Sequence, residues 1–153
     1  MASSESSRRF FAGLSRVMAP LVRRGLVPPT RVGGCLCLLR VRGRRSGRPR
    51  EVVLDYARSP DGAIWLLAGW GNATRWYQNV LANPEVEITI GRRTRPGTAR
   101  LVTDPAERVR AVRAVLLSSG VAGRMVGVDP AADSDERLAT VFEAIPVVAV
   151  RAD

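Results

Sequence analysis

The fold of this chain is decided by a strand–turn–strand stretch, which runs Cys35-Leu36-Cys37-Leu38-Leu39, then Arg40-Val-Arg-Gly-Arg-Arg-Ser-Gly-Arg-Pro-Arg50, then Val52-Val53-Leu54. Six of the eleven residues from Arg40 to Arg50 are arginine, and two glycines and a proline bend the backbone between them. The apolar runs on either side predict two strands. A turn crowded with guanidinium groups and free amides is suited to hold phosphate or carboxylate. We call residues 43–50 the arginine corner.

The bulk composition is typical of one globular domain. The chain has 153 residues, of which 46% are hydrophobic and 25% charged, which is enough for a single core but not for two domains of ordinary size. No apolar run approaches the roughly 20 residues that span a bilayer, and we find no signal-peptide pattern at the start. We therefore expect a cytoplasmic protein.

The net charge of +10 is concentrated in the first third of the chain. Residues 1–50 contain twelve arginines and one acid, a balance of +11, whereas residues 51–153 contain twelve arginines and thirteen acids, a balance of −1. A basic segment of this kind could bind nucleic acid. However, its arginines are not interleaved with the aromatic residues on which bases stack, so we expect no nucleic-acid partner.

The residue types exclude most self-contained catalytic chemistry. The chain has no histidine and no lysine, and so has no Ser-His-Asp triad, no histidine-ligated metal and no P-loop. Cys35 and Cys37 share one face of a strand and are expected to pack in the core. We expect no metal site, and we expect a bound organic cofactor to supply any reactivity.

Residues 4–24 predict an amphipathic helix. Its apolar face is formed by Phe10, Leu14, Val17, Met18 and Leu21, and arginines occupy or flank the other side. Such a helix can lie on an anionic membrane surface, at the inner face of the plasma membrane, or pack on its own domain. We favour the second. The predicted organisation is a helix and linker over residues 1–31, followed by the main domain over 32–153.

The remaining residues predict short strands joined by tight turns. Strands are expected at 33–41, 51–58, 63–69, 86–90, 95–102 and 146–151, with a hairpin turn over Ser59–Gly62. Helices are expected from an Asn72 N-cap through Leu81, from Asp104 onward, and over about 135–144. In the loop over 118–132, Met125 and Val126 are expected near a pocket. The links are too short for βαβ crossovers, so we predict an α+β fold built on a small antiparallel barrel.

A second segment stands out, running Gly69-Trp70-Gly71-Asn72-Ala73-Thr74-Arg75-Trp76-Tyr77-Gln78-Asn79. Its glycines allow a flat ring to approach the backbone, and a helix start offers free amides to an anion. Taken singly, Trp76 and Tyr77 are more often core residues.

In this order and spacing, Gly43–Arg50, Gly69–Gly71 and Trp76–Pro84 resemble the deazaflavin-dependent nitroreductase and quinone reductase family of actinobacteria, over residues 32–102. The resemblance implies a split β-barrel like that of FMN-binding proteins, with an N-terminal helix, a short inserted helix and C-terminal helices. It implies coenzyme F420, an 8-hydroxy-5-deazaflavin with a phosphate and a polyglutamate tail. It also implies hydride transfer to a quinone-like or other electron-poor acceptor.

The resemblance also implies roles for individual residues. The phosphate and tail would be held by Arg44, Arg45, Ser46 and Arg50. The ring would be lined by Val52, Val53, Leu54, Ala68, Gly69 and Trp70. The inserted helix would meet the cofactor through Arg75, Trp76 and Asn79. The catalytic proton donor would be Tyr56 or Tyr77, with Ser118 as a third candidate.

Two departures from the family pattern bear on the substrate. Trp70 stands where a lysine is often found, and the C-terminal part lacks the tyrosines that line the substrate side. A quinone is therefore the expected acceptor rather than a nitro compound. A non-catalytic carrier of the deazaflavin is an alternative, and both a monomer and a homodimer are compatible with the sequence.

Overall fold

The computed structural model describes residues 13, 16–26, 35–120 and 127–153. One antiparallel sheet contains the strands β1 Leu36–Arg42, β2 Pro49–Asp55, β3 Ala57–Arg58, β4 Ile64–Leu67, β5 Glu85–Ile90, β6 Arg93–Leu101 and β7 Val147–Ala152. Their spatial order is β2-β1-β5-β6-β7-β4-β3. The helices are α1, described as helical over residues 16–23, α2 Arg75–Ala82, α3 Pro105–Ser118 and α4 Asp135–Val141. None of these described helices is long and apolar enough to cross a membrane.

The sheet curls into a half-barrel because of the link between β2 and β3. These strands occupy the two opposite edges of the sheet, yet Tyr56 alone separates them in sequence. One residue spans less than about 4 Å, so the two edges must meet at this end, and β2 also contacts β4. The predicted split barrel is therefore confirmed. The single strand predicted over 51–58 is wrong, because the chain leaves one edge at Tyr56 and enters the other.

Inward-facing side chains fill the barrel. Leu39, Leu66 and Val150 are fully buried there, and α2 covers one end with Trp76 and other apolar residues. Cys37 also belongs to this core, as predicted, and burial raises the pKa of its thiol above the usual value. Cys35, just before β1, is only partly buried.

The outer face of β4 and β7 is covered by α3 and α4. Trp65, Leu138 and Val147 belong to this second core. As predicted, α3 is capped at Asp104, whose carboxylate accepts a hydrogen bond from the Glu107 amide at 2.8 Å.

The described part of α1 packs on the outer face of β1, where Ala19 and Val22 contact Leu38. Packing on the barrel was the favoured prediction, but the predicted face is wrong at Val17 and Leu21, which are 68% and 38% exposed. The hydrophobic pattern predicts that the large apolar side chains face the domain. In the structure the small Ala19 faces it instead, and this lets the helix lie close to the sheet. Phe10, Leu14 and the boundary at residues 31 and 32 lie outside the described residues, so that division stays a prediction.

The helix predicted to begin at Asn72 begins later. Gly71–Ala73 form a 3-10 turn, and Thr74 is extended (φ −64°, ψ 118°) before α2 starts at Arg75. The Thr74 hydroxyl accepts a hydrogen bond from the Trp70 amide at 3.1 Å, which ties the turn to the helix start. Met125 and Val126 lie outside the described residues.

Candidate functional site

The arginine corner is a tight, well-specified turn between β1 and β2. The Gly43 amide donates to the Arg48 carbonyl and the Gly47 amide to the Gly43 carbonyl, both at 2.8 Å. Gly47 has a φ of +67°, which favours glycine. The Arg48 amide donates to the Ser46 hydroxyl at 3.2 Å, so the hydroxyl proton is left to donate elsewhere. All four arginines of the corner, Arg44, Arg45, Arg48 and Arg50, are exposed.

The charge of the corner is not neutralised by the described part of the protein. None of its four arginines pairs with a carboxylate there. Arg40, ten residues before Arg50, instead lies 3.9 Å from Glu51 and 3.2 Å from Glu87. The corner therefore presents guanidinium groups that are available for phosphate or carboxylate.

Asn79 joins the corner to α2. Its side-chain oxygen accepts hydrogen bonds from the Arg44 amide at 3.1 Å and from the Arg44 guanidinium at 3.3 Å. Asn79 is only 7% exposed, and both bonds are partly buried. The two segments that the sequence analysis singled out are thus brought into direct contact.

The aromatic residues of α2 lie in the barrel core. Trp76 and Tyr77 are 8% and 5% exposed, and their rings meet edge to face with centroids 6.4 Å apart. Their first role is therefore packing. Arg75, at the start of the helix, is exposed and forms no ion pair within the described residues.

The expected ring-lining residues divide between the two faces of the sheet. Val52 and Leu54 pack against the barrel core, whereas Val53 packs on the other face with α1, as strand alternation requires. Ala68 is fully buried. Gly69 is exposed and Trp70 is 38% exposed. Val52 and Leu54 therefore share one face of β2, and Val53 lies on the other face.

The three candidate proton donors differ in their surroundings. Tyr56 is partly buried, and desolvation raises its pKa above the usual value, with Arg58 acting in the opposite direction. Tyr77 is enclosed in the core. The Ser118 hydroxyl lies 2.6 Å from the Tyr56 carbonyl and 2.9 Å from the Val115 carbonyl, so its single proton is already engaged. Tyr56 follows the last residue of β2, while Arg50 lies near its start, so the structure does not place Tyr56 beside the corner.

Thr74 is a residue that the sequence analysis missed. It is 4% exposed, and its hydroxyl fixes the Trp70 backbone. The signal was present, since threonine directly before a helix is a common N-cap residue. The predicted N-cap was Asn72 instead, two residues earlier.

Comparison with known proteins identifies the family. Residues 22–130, well over half of the chain, match the family described as F420H(2)-dependent quinone reductase. The chain belongs to this family. The matched range includes both the arginine corner and α2, and it confirms the resemblance inferred from those two segments.

Individual relatives agree with this placement. A Mycobacterium tuberculosis protein provisionally named as an F420H(2)-dependent quinone reductase is 31% identical over 118 residues, covering 74% of this chain and 87% of that protein. An F420H(2)-dependent quinone reductase of the same organism is 42% identical over 57 residues, covering 35% of this chain. That second match spans only 38% of the relative's own length.

Solved structures share the fold. A conserved hypothetical protein from Mycobacterium tuberculosis superposes with a TM-score of 0.56 at 21% identity, covering 77% of this chain and 72% of the other. The likeness at this identity supports the barrel architecture only.

Proposed function

We propose that this protein is an oxidoreductase that transfers a hydride from reduced coenzyme F420 to a quinone-like, electron-poor acceptor. Family membership and the names of the relatives support this function. The observation that carries it is the arginine corner, a cluster of four guanidinium groups without carboxylate partners in the described residues, fixed against α2 by Asn79.

The donor groups of this site fit the cofactor. A phosphate and several glutamates require many cationic donors, and Arg44, Arg45 and Arg50 offer planar groups that bind oxyanions in bidentate fashion. Ser46 adds a hydroxyl donor. Val52, Leu54 and the half-exposed Trp70 add apolar surface for a flat ring.

When bound, the reduced deazaflavin would supply the hydride. The residues of the chain would position it, since guanidinium groups anchor the tail and Asn79 holds Arg44 in place. Apolar groups around the ring would exclude water and orient the acceptor. In this proposal Trp76 acts by packing, because its side chain is nearly enclosed.

Reduction of a quinone to a hydroquinone takes up one hydride and one proton. Tyr56 is the better proposed donor of the two tyrosines, because it is partly exposed whereas Tyr77 is 5% exposed. Tyr56 is protonated at neutral pH, since the ordinary pKa of a tyrosine lies well above that pH and burial raises the pKa of Tyr56 further. Water can supply the same proton.

The direct test is turnover. Purified protein is mixed with reduced coenzyme F420 and menadione, and the return of the oxidised deazaflavin absorbance is followed. We expect acceleration over the rate without protein. An unchanged rate together with no binding of the cofactor at micromolar protein would overturn the proposal.

A non-catalytic carrier is the second candidate function. It is favoured by Tyr77, which is enclosed in the core and so cannot reach an acceptor. Tight binding of the cofactor with no acceleration across a panel of quinones and nitroaromatics would establish the carrier in place of the reductase.

We also propose that α1 touches an anionic membrane surface. Val17, Leu21 and Leu26 are 68%, 38% and 56% exposed, and arginines flank them, which is the composition of an interfacial helix. Co-sedimentation with vesicles containing phosphatidylglycerol should therefore decrease in V17S/L21S. A matched control is L117S/V141S, which removes two exposed apolar residues of α3 and α4. Equal loss in both variants would contradict the contact.

A further inference from the structure

A second basic site lies at the other mouth of the barrel. Two hairpins face each other there, the β3–β4 hairpin with its turn at Gly62 and the β5–β6 hairpin with its turn at Gly91. Between them lies a cavity of about 250 Å³, which includes Arg58, Arg93 and Arg95 at its rim and Ile64, Ile88 and Ile90 in its apolar floor. We call it the isoleucine pocket. It shares no residue with the arginine corner.

The strand register lines this pocket with three cross-strand pairs, each of one arginine and one isoleucine. Arg58 is the cross-strand partner of Ile64, Arg95 that of Ile88, and Arg93 that of Ile90. Directly opposed residues of an antiparallel pair point to the same face. Each arginine stem therefore lies beside an isoleucine that faces the barrel interior, where an apolar residue would be the ordinary choice.

Ion pairing distinguishes these arginines from their neighbours. Arg100 and Arg151, on the outer face of β6 and β7, pair with Glu107 and Asp61 at 2.7 Å. The three pocket arginines pair with no carboxylate of the described residues, and the Arg58 side chain hydrogen-bonds to the Tyr56 hydroxyl. Three adjacent cations without a counter-ion repel one another. A bound anion would remove that repulsion.

This pocket and the corner lie at different ends of β2. The corner lies at its start, whereas Arg58 lies in β3, beyond the break at Tyr56 that follows its last residue. The arginine corner is surrounded by polar turn residues, whereas this pocket is lined by isoleucines, of which Ile90 is only partly buried. The two sites therefore favour different ligands, a polyanionic tail in one and an anion with an apolar body in the other.

We propose that the isoleucine pocket binds a small amphiphilic oxyanion, namely a carboxylate or phosphate attached to a ring or branched chain. The guanidinium groups would take the charged head, and the partly buried Ile90 together with the arginine stems would take the body. The volume of about 250 Å³ limits the ligand to about one ring and a short linker, since an engineered cavity of about 150 Å³ accommodates benzene.

The test measures the binding of 3-phenylpropionate, the probe, to the full chain by isothermal titration calorimetry at low salt. The neutral 3-phenylpropanamide lacks the charged head and so tests the guanidinium groups. Acetate lacks the ring and so tests the apolar part of the pocket. We expect both to bind at least about tenfold more weakly, because each loses one of the two interactions. Acetate binding as tightly as the probe would overturn the amphiphile assignment.

Two double variants locate the site. R93S/R95S removes two rim cations and should weaken the probe by about tenfold or more. R92S/R110S removes two exposed cations outside the pocket and should change binding by less than about twofold. Equal weakening in both, or weakening in R45A/R50A instead, would overturn the proposal. Circular dichroism confirms that each variant is folded, and the result is independent of whether coenzyme F420 binds at the corner.

Discussion

Arginines of the β1–β2 hairpin fall into two groups, one paired with carboxylates and one not. Arg40 lies within β1, where its cross-strand partners on both sides are glutamates, Glu51 on β2 and Glu87 on β5. Arg45 and Arg48 lie in the turn, where no strand runs alongside to supply a carboxylate. Arg40 is therefore neutralised on the strand, whereas Arg45 and Arg48 in the turn, and Arg50 with Val41 as its cross-strand partner at the start of β2, are left available. The position in the sheet, and not the local density of arginine, separates structural charges from binding charges.

The strongest test of this contrast is to remove two arginines from each region. R45A/R50A should weaken binding of coenzyme F420 by about 100-fold or more, because two charge-assisted contacts of about 1.5–3 kcal/mol each are lost. R40A/R42A removes two arginines from β1 and should change the affinity by less than about threefold. Fluorescence titration measures both. Equal losses would mean that net charge alone attracts the cofactor.

The next largest effect concerns the link between the corner and α2. N79A leaves the partly buried Arg44 amide without its acceptor, at a cost of about 1–3 kcal/mol. The melting temperature should fall by about 2–4 °C per kcal/mol, and the affinity for the cofactor should fall with it. N72A removes an exposed amide of the 3-10 turn and serves as the control. An unchanged melting temperature in N79A would show that Asn79 does not hold the corner.

A smaller effect is expected when the ion pairs of Arg40 are disrupted. E51Q removes the partner of Arg23 and Arg40, both about half exposed, and such surface pairs contribute about 0–1 kcal/mol. The free energy of unfolding in urea should fall by less than about 1 kcal/mol, and the difference should shrink at high salt. The cofactor affinity should stay within about twofold. A tenfold loss of affinity would place Glu51 in the binding site.

The smallest effect concerns pH. The hydrogen bond from Arg100 lowers the pKa of Glu107 below its usual value. The folded state therefore holds this proton less tightly than the unfolded state, so the stabilisation is present above the usual pKa and is lost as the pH falls through the lowered one. Thermal melts of wild type and E107Q should converge in acid. A constant difference between them from pH 7 to pH 3 would contradict the pairing.

Local sequence patterns predicted helix caps and turns better than they predicted which strands and helix faces pack together. The Asp104 cap and the hairpin turn at Ser59–Gly62 depend on neighbouring residues, and both form as predicted. The break at Tyr56 depends on the sheet edges meeting, which no local pattern shows. The predicted face of α1 is wrong for a related reason. Which residues face the sheet depends on the surface of β1, against which Ala19 packs while the larger Val17 is exposed.

For the candidate site, the sequence identified the segments but not the contacts within them. The density of arginine marked the corner, and spaced glycines and aromatics marked the start of α2. The bond between Asn79 and Arg44 joins residues 35 positions apart and becomes evident only after folding. Likewise, alternation along β2 should have separated Val53 from Val52, although a short apolar run gives no sign of which face is inside.

The position of β7 between β6 and β4 has a consequence for the order of assembly. The β1–β2, β3–β4 and β5–β6 hairpins are local and can form as soon as each is synthesised. β4 and β6 do not pair with each other, since β7 lies between them, and its Val147–Val150 segment is almost completely buried. On the ribosome, both strands must therefore keep an open edge until residues 147–152 have left the exit tunnel, which makes closure of the barrel a late, long-range event.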